Sequence, residues 1–276
     1  MWGGVVRAGV GFHIVWAEEE DRPTMLTPMT TGFIGRLRAN DQSAWFELWE
    51  TFGPVVRAQL MKWGKGRIGS QTVQDLSQET LAALSESIDR FDPSRGARFS
   101  TWLLAIAKHV LGDELDRRGA QKRGGSKRAA EFDESWMVSA GGAGADEQYE
   151  AAVFRAKVEK AIRMTQKEID FADFSIFSMR VLEGKPGKEV AAAFGVSEPT
   201  VSRRLARVRE ILRVRLAEVI AVYSFTAEEA AEPARNGLAP TPKQDAAASD
   251  AMFDEAIGEI YHRQMELRKQ DQATRL

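Results

Sequence analysis

Cysteine is absent from the 276 residues, and there are only three histidines. Disulfides, thiolate nucleophiles and cysteine-based metal sites are thereby excluded, and a reducing cytoplasm is the natural setting. His13, His109 and His262 stand apart without ligand spacing, so neither a metal nor another cofactor is expected. No apolar run approaches the length needed to cross a bilayer, so no membrane partner is expected either. A glycine-rich phosphate loop and a histidine–carboxylate cluster are also missing. GKPGK, residues 184–188, is a helix-flanking turn and not a phosphate-binding sequence. These absences argue against an enzyme. Charge of one sign is not in excess: 38 basic and 40 acidic residues leave a formal net charge of −2. Any preference for nucleic acid must lie in how the charges are distributed.

What is present is helical periodicity, with no strand alternation and no internal repeat. Hydrophobic residues make up 43% of the chain, enough for packed cores. Residues 1–32 read as a disordered leader or a mis-assigned start, with Met25 and Met29 as alternative first residues, because the periodic pattern begins at Phe33. From 33 to 121 the pattern is helical. Trp45, Leu48, Trp49, Phe52, Val55, Val56 and Leu60 recur at three- and four-residue spacing. Gly53-Pro54 should bend or split that segment, since proline cannot donate to the preceding turn. A second helix over 72–91 places Val73, Leu76, Thr80, Leu84 and Ile88 on one stripe, and DPSRG ends it. A third runs from about Phe99 to Arg118, with Trp102, Leu103, Ile106, Val110 and Leu111 inward.

The composition then shifts to basic and glycine-rich, and next to acidic and glycine-rich. Residues 122–147 therefore read as a flexible linker. Helices resume over 148–164 and 168–183, and residues 148–222 form a second helical domain. After Tyr223 a stretch rich in alanine, proline and charge is expected to be disordered. A last amphipathic segment, 251–269, carries Phe253, Ile257, Ile260, Tyr261 and Leu267. The expected fold is all-α: two small helical domains, a linker, and a partly disordered tail, 223–276, with one helix.

One stretch carries a recognisable geometry. In KEVAAAFGVSEPTVSRRLARVREIL a first helix over 188–194 ends at Gly195, where glycine accepts positive φ without cost. Ala191 is small enough for two helices to cross closely. Ser197 is a good N-cap and Pro199 fits the first turn, where its missing N–H has no partner anyway. Val201, Leu205, Val208, Leu212 and Leu216 form the inward stripe, while Ser202, Arg203, Ala206 and Arg207 flank it. This is helix–turn–helix geometry, whose second helix enters the DNA major groove N-terminus first. Six arginines (203, 204, 207, 209, 213, 215) face two glutamates (198, 210) on that helix. Arginine can hold guanine O6 and N7 together or neutralise phosphate. A helical hairpin with a solvated basic face would present the same charges.

TVQDLSQETLAALSESIDRFDPSRGARFSTWLLAIAKHVLGDELDRR, residues 72–118, resembles region 2 of bacterial sigma factors. GKPGKEVAAAFGVSEPTVSRRLARVREIL resembles their region 4. The order and the intervening linker are those of the extracytoplasmic-function (ECF) group of the sigma-70 family. That resemblance implies an alternative sigma factor working with core RNA polymerase on promoter DNA. Asp75, Leu76, Gln78 and Glu79 would then dock on the β′ clamp helices, and region 4 on the β flap. Arg95 and Arg98, in a turn that captures a flipped base, would serve the −10 element with Phe99, Trp102, Lys108, His109, Arg117 and Arg118. Base capture needs a pocket that offsets the unstacking cost, and aromatic rings suit melted strands. Trp102 at its spacing also suits the core. Pro199, Thr200, Ser202, Arg203, Arg204 and Arg207 would read the −35 element. Six basic residues and no acid between 117 and 128 suit a phosphate track. In the linker, Asp133, Glu134, Trp136 and Met137 would thread the polymerase cleft.

The competing reading is a free-standing helix–turn–helix regulator whose N-terminal helices sense a ligand or dimerise. It needs neither the acidic DLSQET face nor the basic run. The tail lies outside the resemblance. From Tyr223 onward it holds ten acids (228, 229, 232, 245, 250, 254, 255, 259, 266, 271) and six bases (235, 243, 263, 268, 269, 275). Its last helix is expected either to fold back, with Phe253, Ile257 and Ile260 as anchors, or to engage a regulator such as an anti-sigma factor.

Overall fold

The computed structural model describes residues 28–92, 98–122, 147–238 and 246–275. Every regular element among them is helical. In chain order these are α1 (Pro28–Arg38), α2 (Gln42–Gly64), α3 (Ser70–Ser87), α4 (Phe99–Lys122), α5 (Glu147–Glu168), α6 (Phe171–Phe177), α7 (Gly187–Phe194), α8 (Glu198–Tyr223), α9 (Ala227–Arg235) and α10 (Ala246–Arg275). A 3-10 turn, Ile88–Arg90, closes α3, and a π-helical turn, Ser178–Leu182, continues α6. None of these helices is long and apolar enough to cross a membrane.

Local chemistry sets most boundaries. Asp41 caps α2, its carboxylate accepting from the Ser43 N–H at 2.9 Å and the Ala44 N–H at 3.3 Å. Gly53-Pro54 does not split α2, which runs unbroken through both residues. The missing proline hydrogen bond is outweighed by burial of Phe52, Pro54, Val55 and Val56 on the packed side. Helix α1 begins at Pro28, five residues before the first periodic apolar residue. Its Thr30 hydroxyl, fully buried, donates to the Ala221 carbonyl at 2.5 Å, near the exposed carbonyl end of α8.

The two helical blocks share one core. Buried side chains of α1–α4 and of α5–α8 belong to a single continuous cluster. At its centre Tyr223 meets Phe33 and Phe52 edge-on, at 5.1 and 5.2 Å between ring centroids. Lys160 donates to the Tyr223 hydroxyl at 2.8 Å and lies 3.5 Å from Glu47. Burial pushes the Tyr223 hydroxyl well above the ordinary phenol range. Tyr149 donates to the Ser100 carbonyl at 2.9 Å, pinning the start of α5 to the start of α4. Of the linker expected over 122–147, Lys122 ends α4 and Glu147 begins α5, and residues 123–146 lie outside the described residues.

The tail differs most from expectation. Residues 227–235, expected to be disordered, form α9. Thr226 and Glu229 make a reciprocal capping box that closes its first turn. Helix α10 starts five residues before the expected 251 and continues past 269 to Arg275. It folds back as the sequence suggested, with Phe253 and Ile257 buried and Ile260 half-buried against the core. Gly258 permits close approach, since a Cβ there would lie 2.9 Å from the Val181 carbonyl oxygen.

Candidate nucleic-acid interface

Helices α7 and α8 cross at the turn the sequence anticipated. Gly195 closes α7 at φ 63°, ψ 31°, and the Val196 N–H reaches the Ala191 carbonyl at 3.0 Å. The Ser197 hydroxyl accepts from the Thr200 N–H, and Pro199 sits in the first turn of α8. Nothing lies within 4 Å of a Cβ built on Gly195, so a side chain would fit and the cost would be conformational alone. Gly195→Ala should therefore destabilise by about 1–2 kcal/mol, and a melting curve should drop by roughly 2–8 °C.

Val201, Leu205, Val208, Leu212 and Leu216 are buried, which fixes the orientation of α8. Pro199, Ser202, Arg203 and Arg207 are exposed on its N-terminal half, and Thr200 is half-buried beside them. Arg203 is steadied from below, reaching the Thr200 hydroxyl at 3.3 Å. Arg204 is drawn 3.2 Å from Asp173 of α6, and Arg207 lies 3.9 Å from the same carboxylate but stays 69% exposed.

The six arginines of α8 thus divide by position. The three beyond Arg207 face acids of other elements or their own turn. Arg209 is bound by Asp254 at 2.6 and 2.8 Å and by Asp250 at 3.3 Å. Arg213 meets Asp250 at 2.7 Å and lies over the Phe253 ring at 4.5 Å. Arg215 joins Glu168 and Glu218. Of the six, Arg203 and Arg207 are exposed and the other four are half-buried.

In the first block Asp75, Gln78 and Glu79 are exposed on α3, as the pattern required. Leu76, assigned with them to docking, is buried in the core and unavailable to a partner. It occupies the apolar stripe that the same periodicity defines.

The residues assigned to the −10 element fare unevenly. Arg95 lies outside the described residues. Lys108 is exposed, and His109 is half-buried with Nε2 3.4 Å from Asp113. Phe99 and Trp102 are both buried in an aromatic cluster with Phe91 and Phe225. Neither ring is open to a base in this arrangement. Arg117 and Arg118 both clamp Glu114, and Arg118 also donates to the Thr72 hydroxyl at 2.8 Å. Burial raises the Glu114 carboxyl, and the two guanidiniums outweigh it, holding the group below the ordinary carboxylate range.

Arg98 is the most heavily engaged of the set. It lies 3.0 Å from Glu150, 2.7 Å from Glu228 and 3.5 Å from Glu232. The α9 acids were not singled out by sequence reasoning. The T-x-x-E pattern of Thr226–Glu229 was the available signal, since it marks a helix start. Behind Arg98 sits Lys157, 1% exposed, 3.6 Å from Glu229 and 3.7 Å from Glu232. Burial raises the Glu232 carboxyl, opposed by Lys157.

Comparison with known proteins matches two separate parts of the chain. Residues 48–121 match the family model Sigma-70 region 2, and residues 172–212 match Sigma-70, region 4. The chain is 34% identical over 89 residues to the ECF RNA polymerase sigma factor RpoE of Cereibacter sphaeroides, covering 31% of this chain and 47% of that protein. It is 28% identical over 146 residues to the RNA polymerase sigma factor CnrH of Cupriavidus metallidurans, covering 52% of this chain and 73% of that protein. The first match therefore spans about half the length of that relative. Helices α9 and α10 lie beyond both family models. Regions 2 and 4 of the sigma-70 family are thus both matched, in that order, on an all-α body with a capped helix–turn–helix inside the region 4 match, and both of these relatives are sigma factors.

Proposed function

We propose that the protein is an alternative sigma factor, which directs core RNA polymerase to promoters and contributes no catalytic group itself. The observation that carries this reading is the N-terminal half of α8. Its Ser202, Arg203 and Arg207 stand exposed on a helix whose opposite stripe is locked in the core. A rigid helix presenting exposed guanidiniums at its N-terminal end suits the major groove of a −35 element. In region 2 the acidic face of Asp75, Gln78 and Glu79 docks on the β′ clamp helices, and region 4 engages the β flap. Lys108, already exposed, serves the −10 element with Arg98, Phe99, Trp102 and His109 once these are uncovered. Two weak readers on one chain gain effective concentration on a promoter of matching spacing.

The test is co-elution with purified bacterial core RNA polymerase on gel filtration. Wild type should co-elute, and Asp75→Arg with Glu79→Arg should weaken association at least tenfold. Those side chains are exposed, so the charge reversal leaves the fold intact. A folded wild-type protein that never co-elutes, yet binds duplex DNA tightly alone, would instead be a free-standing regulator.

A further inference from the structure

The arrangement described above is too compact to engage both promoter elements. Elements at −35 and −10 lie about 25 base pairs apart, or about 85 Å along B-form DNA. A compact chain of this length is about 50 Å across. The segment between Lys122 and Glu147 reaches about 80 Å when fully extended, enough to let the two blocks part. Parting requires breaking every contact between them, and the C-terminal extension makes many of these.

We propose that the extension, α9 with α10, is a latch that shuts the −10 reader while leaving the −35 helix open. This rests on the sigma-factor reading above. Helix α9 puts carboxylates on the guanidinium assigned to a DNA phosphate: Glu228 and Glu232 both engage Arg98. Just before α9, Phe225 stacks on Phe99 at 5.4 Å and meets Phe91 edge-on at 5.5 Å, closing the aromatic cluster over the residues assigned to melted bases. Acids and an aromatic ring thus stand where phosphates and a base would be. The same helix is fastened to α5 through Lys157.

Helix α10 secures the other side. Asp250 and Asp254 hold Arg209 and Arg213 of α8, beyond its exposed Arg207, with Phe253 beneath Arg213. Further along, Arg268 meets Glu159 of α5 at 2.5 Å. None of these contacts covers Ser202, Arg203 or Arg207. The closed molecule therefore keeps its duplex-reading surface and lacks its strand-reading one.

The full chain tests this directly, because it has no native cysteine. Lys65→Cys in the first block and Ala193→Cys in the second, both exposed, accept a donor and acceptor dye. Without polymerase, wild type should show one high-transfer population, and core RNA polymerase should convert it to low transfer. Glu228→Gln with Glu232→Gln should open at a polymerase concentration at least tenfold lower. Phe253→Ala with Ile257→Ala should do the same through the other half of the latch. Glu228→Gln alone, at a side chain 73% exposed, cannot fail by misfolding and should shift opening in the same direction. Glu255→Gln with Glu266→Gln, exposed acids of α10 that make none of the contacts above, makes the same charge change and should behave as wild type. Opening of all latch variants at the wild-type concentration overturns the latch and leaves the sigma reading standing. If polymerase opens no variant and binds none, the sigma reading falls and the latch with it.

Discussion

Glu229→Ala should lower the unfolding free energy by about 3–5 kcal/mol, read from urea titration followed by helical circular dichroism. Glu229 is 1% exposed and serves three groups at once. One carboxylate oxygen accepts from the Phe225 N–H at 2.8 Å and the Thr226 N–H at 3.1 Å. The other lies 3.6 Å from the buried Lys157 ammonium. Alanine leaves two N–H groups without an acceptor and the ammonium with Glu232 alone, at 3.7 Å. Removing one partner of a buried ion pair costs far more than the pair contributes, because the remaining charge stays desolvated. Glu229→Gln keeps an oxygen for the two N–H groups and loses only the charge, so it should fall between alanine and wild type. Amides of 225–238 should lose exchange protection first in the alanine variant, since α9 opens before the core does. A Glu229→Ala protein within about 0.5 kcal/mol of wild type would show that the buried pair does not form in solution.

Arg203→Ala with Arg207→Ala should reduce affinity for promoter duplex by roughly 30-fold or more, at about 1–3 kcal/mol for each arginine. Both side chains are exposed, and their nearest polar neighbours, Thr200 and Asp173, do not depend on them for folding. Melting temperature should therefore be unchanged. Arg209→Ala and Arg213→Ala should do the reverse. Their guanidiniums hold Asp250 and Asp254 of α10, so their loss destabilises the extension and leaves duplex affinity nearly intact. The measurement is fluorescence anisotropy on a duplex identified by mapping transcript starts, repeated over a salt series. An arginine that contacts only phosphate lowers the salt slope uniformly across sequences, whereas one that reads a base relaxes the preference at one position. Equal losses for all four arginines would mean that the basic face acts as a whole and that the division along α8 has no functional weight.

The parts legible in the sequence are those fixed by neighbours along the chain. The turn at Gly195, Ser197 and Pro199 was readable because positive φ, N-capping and a missing N–H are properties of single residues. The inward stripe of α8 and the outward Asp75, Gln78 and Glu79 followed from a 3.6-residue period. That period also showed that α10 had an apolar side needing a partner, with Phe253 and Ile257 on it.

Tertiary structure decided what those surfaces meet. Arg98 and Glu228 are 130 residues apart, and Arg209 and Asp254 are 45 apart. An arginine on a helix surface has the same local pattern whether it faces water, DNA or a distant carboxylate. Its partner is set by how the helices are stacked, which no local period encodes. Phe99 could have been an exposed stacker until Phe225 stacked on it, whereas the spacing of Trp102 already favoured the core. Pro54 could have split α2 had packing on its buried side been weaker. The sequence by itself determined the helices, their inward faces and the turn between α7 and α8, because backbone conformation and periodicity are local. Only the tertiary structure decided which charges are free and which are held, because ion pairing and burial depend on residues far away in the chain.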